Sequence, residues 1–294
     1  MYMARPLEML IIDDDKEFVE SLHANAQREQ ILLKHRDNLE DAKLFLGGGK
    51  AREISGVILD VVCMKSKDQE VPSRNFITAA IGFLTKEAPL LPIAVITGEP
   101  DQYTELSKLY EGTKNVYSKG PGQDEEKMLE FLKSEALKLN RVKIMNKHKD
   151  IFGIVEEFFN TETEEDLIDC LNNLNTSDKT QIKNNLACIR RLLEKICIEL
   201  YKSKPDWVDS ENIIEGNVKV KAIIKHLRQS GHVDQNTDYF TRAIYAVSSD
   251  YGAHDGTQNR KQEGSPVSKY TVHAAAYALL DLFLWFEKVV NQDT

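Results

Sequence analysis

Five polar residues stand where short apolar runs end: Asp13 and Asp14 after Met9–Ile12, Asp60 after Gly56–Leu59, Thr97 after Ile93–Ile96, and Lys119 just past Asn115–Tyr117. Three runs, Met-Leu-Ile-Ile, Val-Ile-Leu and Ile-Ala-Val-Ile, are apolar on every residue. That is the pattern of a parallel strand covered on both faces. Parallel strands of one sheet end on one edge, and ligands of open α/β sheets bind at that edge. The five residues then converge, and together they suit phosphoryl transfer to a carboxylate.

Three carboxylates in one place repel each other and need a cation. Mg²⁺ is the natural one, being hard, oxygen-seeking and content to keep several waters. Asp60 is the candidate nucleophile and would become an aspartyl phosphate. Lys119 offers a second positive group to the phosphate, and Thr97 a hydroxyl donor. In such a transition state charge spreads over the phosphoryl oxygens, so positioning and electrostatics carry most of the catalysis.

The elements that must position these residues are legible as alternation. Between the runs, to which Ile31–Lys34 is added, lie Glu17–Gln30, Leu39–Leu46, Ser73–Lys86 and Gln102–Tyr110, with apolar residues at helical spacing. A fifth helix, Asp124–Leu137, closes a doubly wound α/β unit with a parallel five-stranded sheet. Gly47-Gly48-Gly49-Lys50 lacks phosphate-loop spacing and is read as a helix end and loop. After Gln123 the pattern turns helical throughout, and the helix from Asp124 is expected to run on towards Asn146 as a connector. Thr161-x-x-Glu164 reads as a capping box. Ser177 is expected to cap a helix reaching Tyr201, Val218–Gln229 and Asp238–Asp250 are two more, and Pro266 opens the last.

The strings Met9-Leu-Ile-Ile-Asp-Asp-Asp15, Val57-Ile-Leu-Asp60, Ala94-Val-Ile-Thr97-Gly98 and Val116-Tyr-Ser-Lys119, in order, resemble the receiver domain of two-component response regulators over about 7–138. The resemblance implies a flavodoxin-like (βα)5 fold. It also implies Mg²⁺ held by Asp14, Asp60 and the Val62 backbone carbonyl, with Asp13 bound directly or through water, and a sensor histidine kinase as phosphodonor. The chain departs from the family at Cys63-Met64 (often Met-Pro), at Gly120 before Pro121, and at Val116, where the family places an aromatic switch residue. Tyr117 is one place off, and the Met64–Ser73 loop is longer than usual. A fold kept without phosphorylation is the second reading of these residues.

The chain has 294 residues, enough for two domains, and a net charge of -9. Lys plus Arg against Asp plus Glu stand at 18 to 24 over 1–140 and 20 to 23 beyond, so neither half carries a basic nucleic-acid footprint. The N-terminus shows no signal-peptide pattern, and Val272–Val290 carries Asp281 and Glu287, which suits a buried helix better than a membrane span. Cys63, Cys170, Cys188 and Cys197 form no C-x-x-C pair, and reduced buried thiols in the cytoplasm are expected.

In the second half, Ile189-Arg190-Arg191-Leu192-Leu193-Glu194, the segment Tyr245–Gly256 and the apolar closing helix resemble the HEPN superfamily, especially the C-terminal domain of abortive-infection-like proteins. This implies a helical bundle that pairs into a homodimer. Nuclease members carry Arg, then four to six residues, then His. Before His254 stand Val247, Ser248, Ser249 and Asp250, and the nearest upstream Arg is Arg242. His254 is therefore read as a polar loop residue, or as an output site shared with Arg190 or Arg191. Phe283, Trp285 and Phe286 are read as core or dimer-interface aromatics. The expected organisation is α/β then all-α: a receiver over 1–140, a helical connector over 141–160 and a HEPN-like output domain over 161–294. The expected function is a two-component response regulator, Mg²⁺-dependent at Asp60, acting through dimerisation. A phosphorylation-controlled RNase in stress or phage defence is the alternative, and a DNA-binding regulator using Val218–Val233 as a helix-turn-helix is the third.

Overall fold

The computed structural model describes residues 5–47, 50–109, 115–120, 123–214, 217–251 and 267–293. The chain divides into two compact units, one over Ala4–Lys143 and the other holding Ile144–Thr294.

In the first unit β1 (Leu7–Ile12), β2 (Ile31–Arg36), β3 (Gly56–Asp60), β4 (Ile93–Thr97) and β5 (Asn115–Ser118) alternate with α1 (Lys16–Arg28), α2 (Leu39–Gly47), α3 (Phe76–Glu87), α4 (Pro100–Leu109) and α5 (Gln123–Ala136). The strands form one sheet in the order β2-β1-β3-β4-β5, and every pairing is parallel. The fully apolar runs follow from having two covered faces. Leu10, Ile12, Val57, Leu59 and Val95 pack with Leu39, Phe76, Ala80 and Leu84 of α2 and α3. Their neighbours Met9, Ile11, Ile58, Ala94 and Ile96 pack on the other face with Val19 and Leu22 of α1 and with Met128 and Leu132 of α5. Alternate residues thus feed opposite cores, as strand geometry requires.

α5 ends at Ala136, where the sequence pattern suggested a helix continuing to Asn146. The N–H groups of Leu137, Lys138 and Leu139 turn back to the carbonyls of Lys133, Glu135 and Ala136. A new helix, α6 (Asn140–Lys147), then begins, followed by α7 (Lys149–Phe158). Apolar spacing survives this break, so periodicity alone could not reveal it.

The second unit is helical: α8 (Thr161–Asn172), α9 (Lys179–Ser203), α10 (Val220–Gln229), α11 (Gln235–Tyr251) and α12 (Lys269–Val290) join α7. A two-stranded antiparallel hairpin, β6 (Ile213–Ile214) and β7 (Asn217–Val218), departs from the all-helical expectation. The caps fall one residue from the sequence signals. Asn160 accepts from the Thr163 N–H at 3.0 Å, in place of the Thr161 box. Asp178 accepts from the Gln181 N–H at 2.8 Å, in place of Ser177. Both carry the short oxygen acceptor an N-cap needs. The four cysteines are free and buried, and among the described residues no helix is long and apolar enough to cross a membrane.

Phe286 of α12 is fully buried and meets Phe158 edge-on at 5.5 Å and Phe159 at 5.2 Å. Phe283 is buried too, and Trp285 is packed against the same core. Phe286→Ala is expected to cost about 3–5 kcal/mol, the usual loss for a buried aromatic. Urea unfolding of the full chain followed by far-UV circular dichroism checks this. A loss under about 1 kcal/mol would show that the aromatic cluster does not close the bundle.

Candidate functional site

Asp13 and Asp14 follow β1, Asp60 ends β3, Thr97 ends β4 and Lys119 follows β5. β3 reaches the edge because Val61 N–H bonds the Ile96 carbonyl at 3.2 Å. Lys119 is brought beside Thr97 by its own N–H, which bonds the Thr97 carbonyl at 2.7 Å. The chain leaves Lys119 through Gly120, whose φ of 137° suits glycine. Lys119 Nζ lies 2.9 Å from Asp60 Oδ2 and 2.8 Å from Asp13 Oδ2. Asp60 Oδ1 also accepts from the Val61 N–H at 2.7 Å, and Asp13 Oδ1 from the Asp15 N–H at 2.9 Å. Val62 sits half-buried two positions beyond Asp60.

Asp13 is fully buried and Asp60 nearly so. Burial, then the neighbouring Asp13 charge, pushes the Asp60 carboxyl up to about 6 against the pull of Lys119. Asp13 is also raised, chiefly by burial. For Lys119, burial opposes the charge, but Asp60 and Asp13 outweigh it and raise its pKa. Asp13 Oδ2 accepts no hydrogen bond. The hydrogen bond from the Lys119 ammonium goes to the other oxygen of that carboxylate, Asp13 Oδ1, at 3.0 Å. Carboxylate oxygens of Asp13, Asp14 and Asp60 lie within 4.8 Å of one another, an arrangement that could hold a metal ion.

Thr97 is buried, and its hydroxyl donates to Gln102 Oε1 of α4 at 3.2 Å while accepting the Glu99 N–H at 3.1 Å. Three further residues serve the site without having drawn notice in the sequence. Phe18 of α1 lies under the Lys119 ammonium, 4.9 Å from ring centroid to Nζ. His35 near the end of β2 donates from Nε2 to the Asp13 carbonyl at 2.7 Å. Gln102 holds Thr97. Phe18 is hidden by its place in a helical apolar pattern; His35 had a signal, since β2 ends on the same edge. Val116 faces the α3 side of the sheet, while Tyr117 faces the opposite core, 6.5 Å from Phe131. The long loop after Cys63 is closed by the Ser73 N–H on the Cys63 carbonyl at 3.0 Å.

Among the described residues, the output candidates Arg190 and Arg191 turn to different partners. Arg190 pairs with Glu194 at 2.9 Å and lies over the Tyr245 ring at 4.7 Å. Arg191 turns instead to Asp166 of α8 at 3.0 Å. His254 lies outside the described residues, as does Pro266. α10 and α11 are joined through a turn with Gly231 at φ 78°. Both also feed the bundle core, through Leu227 and Ile244 for example. No family model matches the chain, and no curated protein matches it.

An acid whose pKa is raised on folding destabilises the fold once it ionises. With divalent cations chelated, Asp60 is protonated in both states below its ordinary 3.8 and costs nothing there. As pH rises from 3.8 through about 6 the folded state loses stability, by up to about 3 kcal/mol. Asp60→Asn is expected to flatten this fall between pH 4 and 7. Urea midpoints at half-unit pH steps check it, and equal slopes in both proteins would contradict the account.

Proposed function

We propose that residues 1–140 act as a phosphoacceptor receiver with Asp60 as acceptor, controlling a helical output domain. The observation that carries this reading is the Lys119 ammonium held between the Asp13 and Asp60 carboxylates where the strands end. An Asp60 oxygen attacks the phosphorus of the donor, the new O–P bond forms, and the donor's bond to phosphorus breaks with its electron pair going to the donor. With its pKa near 6, Asp60 is chiefly the nucleophilic carboxylate at neutral pH. Lys119 faces the developing charge on the phosphoryl oxygens, and the Thr97 hydroxyl donates to one of them.

The donor set fits Mg²⁺: all hard oxygens, clustered, with one buried carboxylate oxygen accepting no hydrogen bond. Asp14, Asp60 and the Val62 carbonyl would hold the ion, with Asp13 direct or through water. Bound there it would neutralise the carboxylates and the incoming phosphoryl oxygens.

A sensor histidine kinase is the phosphodonor in this reading, and the setting is the cytoplasm. The helical unit is proposed to pair as a homodimer through α12. Support comes from Tyr270, Tyr277 and Leu284, one every seven residues, exposed at 73%, 45% and 38%. That spacing keeps them on one helical seam.

With Mg²⁺ and acetyl phosphate, the wild-type protein is expected to gain one acid-labile phosphoryl group and Asp60→Asn none. Intact-mass spectrometry reads this, and equal labelling of both would sink the assignment. Asp14→Ala is expected to abolish Mn²⁺ binding followed by fluorescence quenching. Undiminished binding would place the metal elsewhere.

A further inference from the structure

We infer that Gln102 is a positioning residue for this transfer, an inference that rests on the receiver reading: it holds the Thr97 hydroxyl on α4, and Thr97 must leave it to serve a phosphoryl oxygen on Asp60.

A threonine hydroxyl has one hydrogen to give. Here Thr97 gives it to Gln102 Oε1 at 3.2 Å. It also accepts the Glu99 N–H at 3.1 Å. With Thr97 only 2% exposed, solvent offers no ready substitute acceptor. The two uses of that hydrogen exclude one another. The bond to Gln102 is long for an O–H donor and neutral at both ends. A phosphoryl oxygen is charged, and such acceptors bind about twice as strongly. Gln102 therefore holds the hydroxyl in the absence of phosphate and yields it when a phosphoryl group arrives.

The consequence falls on α4. None of its described side chains is buried, and Leu106 is its member packed against the adjoining core. The Thr97–Gln102 bond ties the first turn of this thinly anchored helix to the end of β4. Val116 brings no ring or hydroxyl to follow Thr97, and Tyr117 lies in the opposite core. Gln102 is thus the side chain through which movement of the Thr97 hydroxyl reaches a helix.

The test is a double-mutant cycle on the full chain, with phosphoryl uptake from acetyl phosphate and Mg²⁺ timed by intact mass. Gln102→Leu removes the competing acceptor and is expected to speed uptake about three- to tenfold, the worth of one ordinary hydrogen bond. Gln102→Glu keeps an acceptor oxygen and does not speed it. In a Thr97→Val background the Gln102→Leu gain disappears, which a merely structural role would not produce. Labelling that proceeds with no Gln102→Leu effect, or with the same effect whether or not Thr97 has its hydroxyl, overturns this inference and leaves the receiver reading standing. Absence of label in every protein, wild type included, overturns both.

Discussion

Lys119 brings one positive charge to a place where two carboxylates are buried, and much of the first unit is arranged around that meeting. An ammonium alone at this depth would shed its proton, and the two carboxylates alone would hold theirs. Together they remain in balance only partly, because one cation faces two anions. Burial, with the Asp13 charge added to it, leaves Asp60 with its pKa pushed up to about 6. It also leaves Asp13 with a buried oxygen that accepts no hydrogen bond. A cation held by Asp13, Asp14 and Asp60 would offset that imbalance. The backbone secures the geometry: Lys119 by its bond to the Thr97 carbonyl, Asp13 by His35, and Asp60 by the Val61 N–H.

That edge depends on a sheet with two dry faces. Residues of β1, β3 and β4 alternate between a core under α2 and α3 and a core under α1 and α5. A one-residue slip of β3 would exchange its two faces and carry the Asp60 side chain to the other side of the sheet. Burial therefore fixes the register, and the register fixes where the carboxylate points. The Phe18 ring beneath the Lys119 ammonium extends this coupling to α1, so core packing and site geometry share a side chain.

The helical unit manages charge differently. Asp166 and Asp238, half-buried and buried, each collect two cations, Asp166 from the next helix and Asp238 from one neighbouring helix and its own. Asp166 takes Arg191 and Lys195, and the nearly buried Asp238 takes Arg228 and Arg242. These pairs join α8 to α9 and α10 to α11, while Phe158, Phe159, Phe283 and Phe286 close the apolar centre. Of the arginines singled out in the sequence, Arg191 is thereby paired with its side chain exposed, and Arg190 pairs with Glu194 on its own helix.

The sequence by itself determined the alternation of strands and helices, the parallel sheet and the helical second half. Apolar periodicity records which residues are covered, and a strand apolar at every position must be covered on both faces. It also placed Asp13, Asp14, Asp60, Thr97 and Lys119 at strand ends, because parallel strands share an edge. It did not determine the break after Ala136, where the chain turns while its apolar spacing continues, nor caps at Asn160 and Asp178, which compete with adjacent residues of similar chemistry. Only the tertiary structure decided that the Thr97 hydroxyl goes to Gln102 and that Arg191 goes to Asp166. Each of those is a choice among partners brought together by folding. One-dimensional spacing says which residues can reach a place, whereas distance and direction decide which of them bond there.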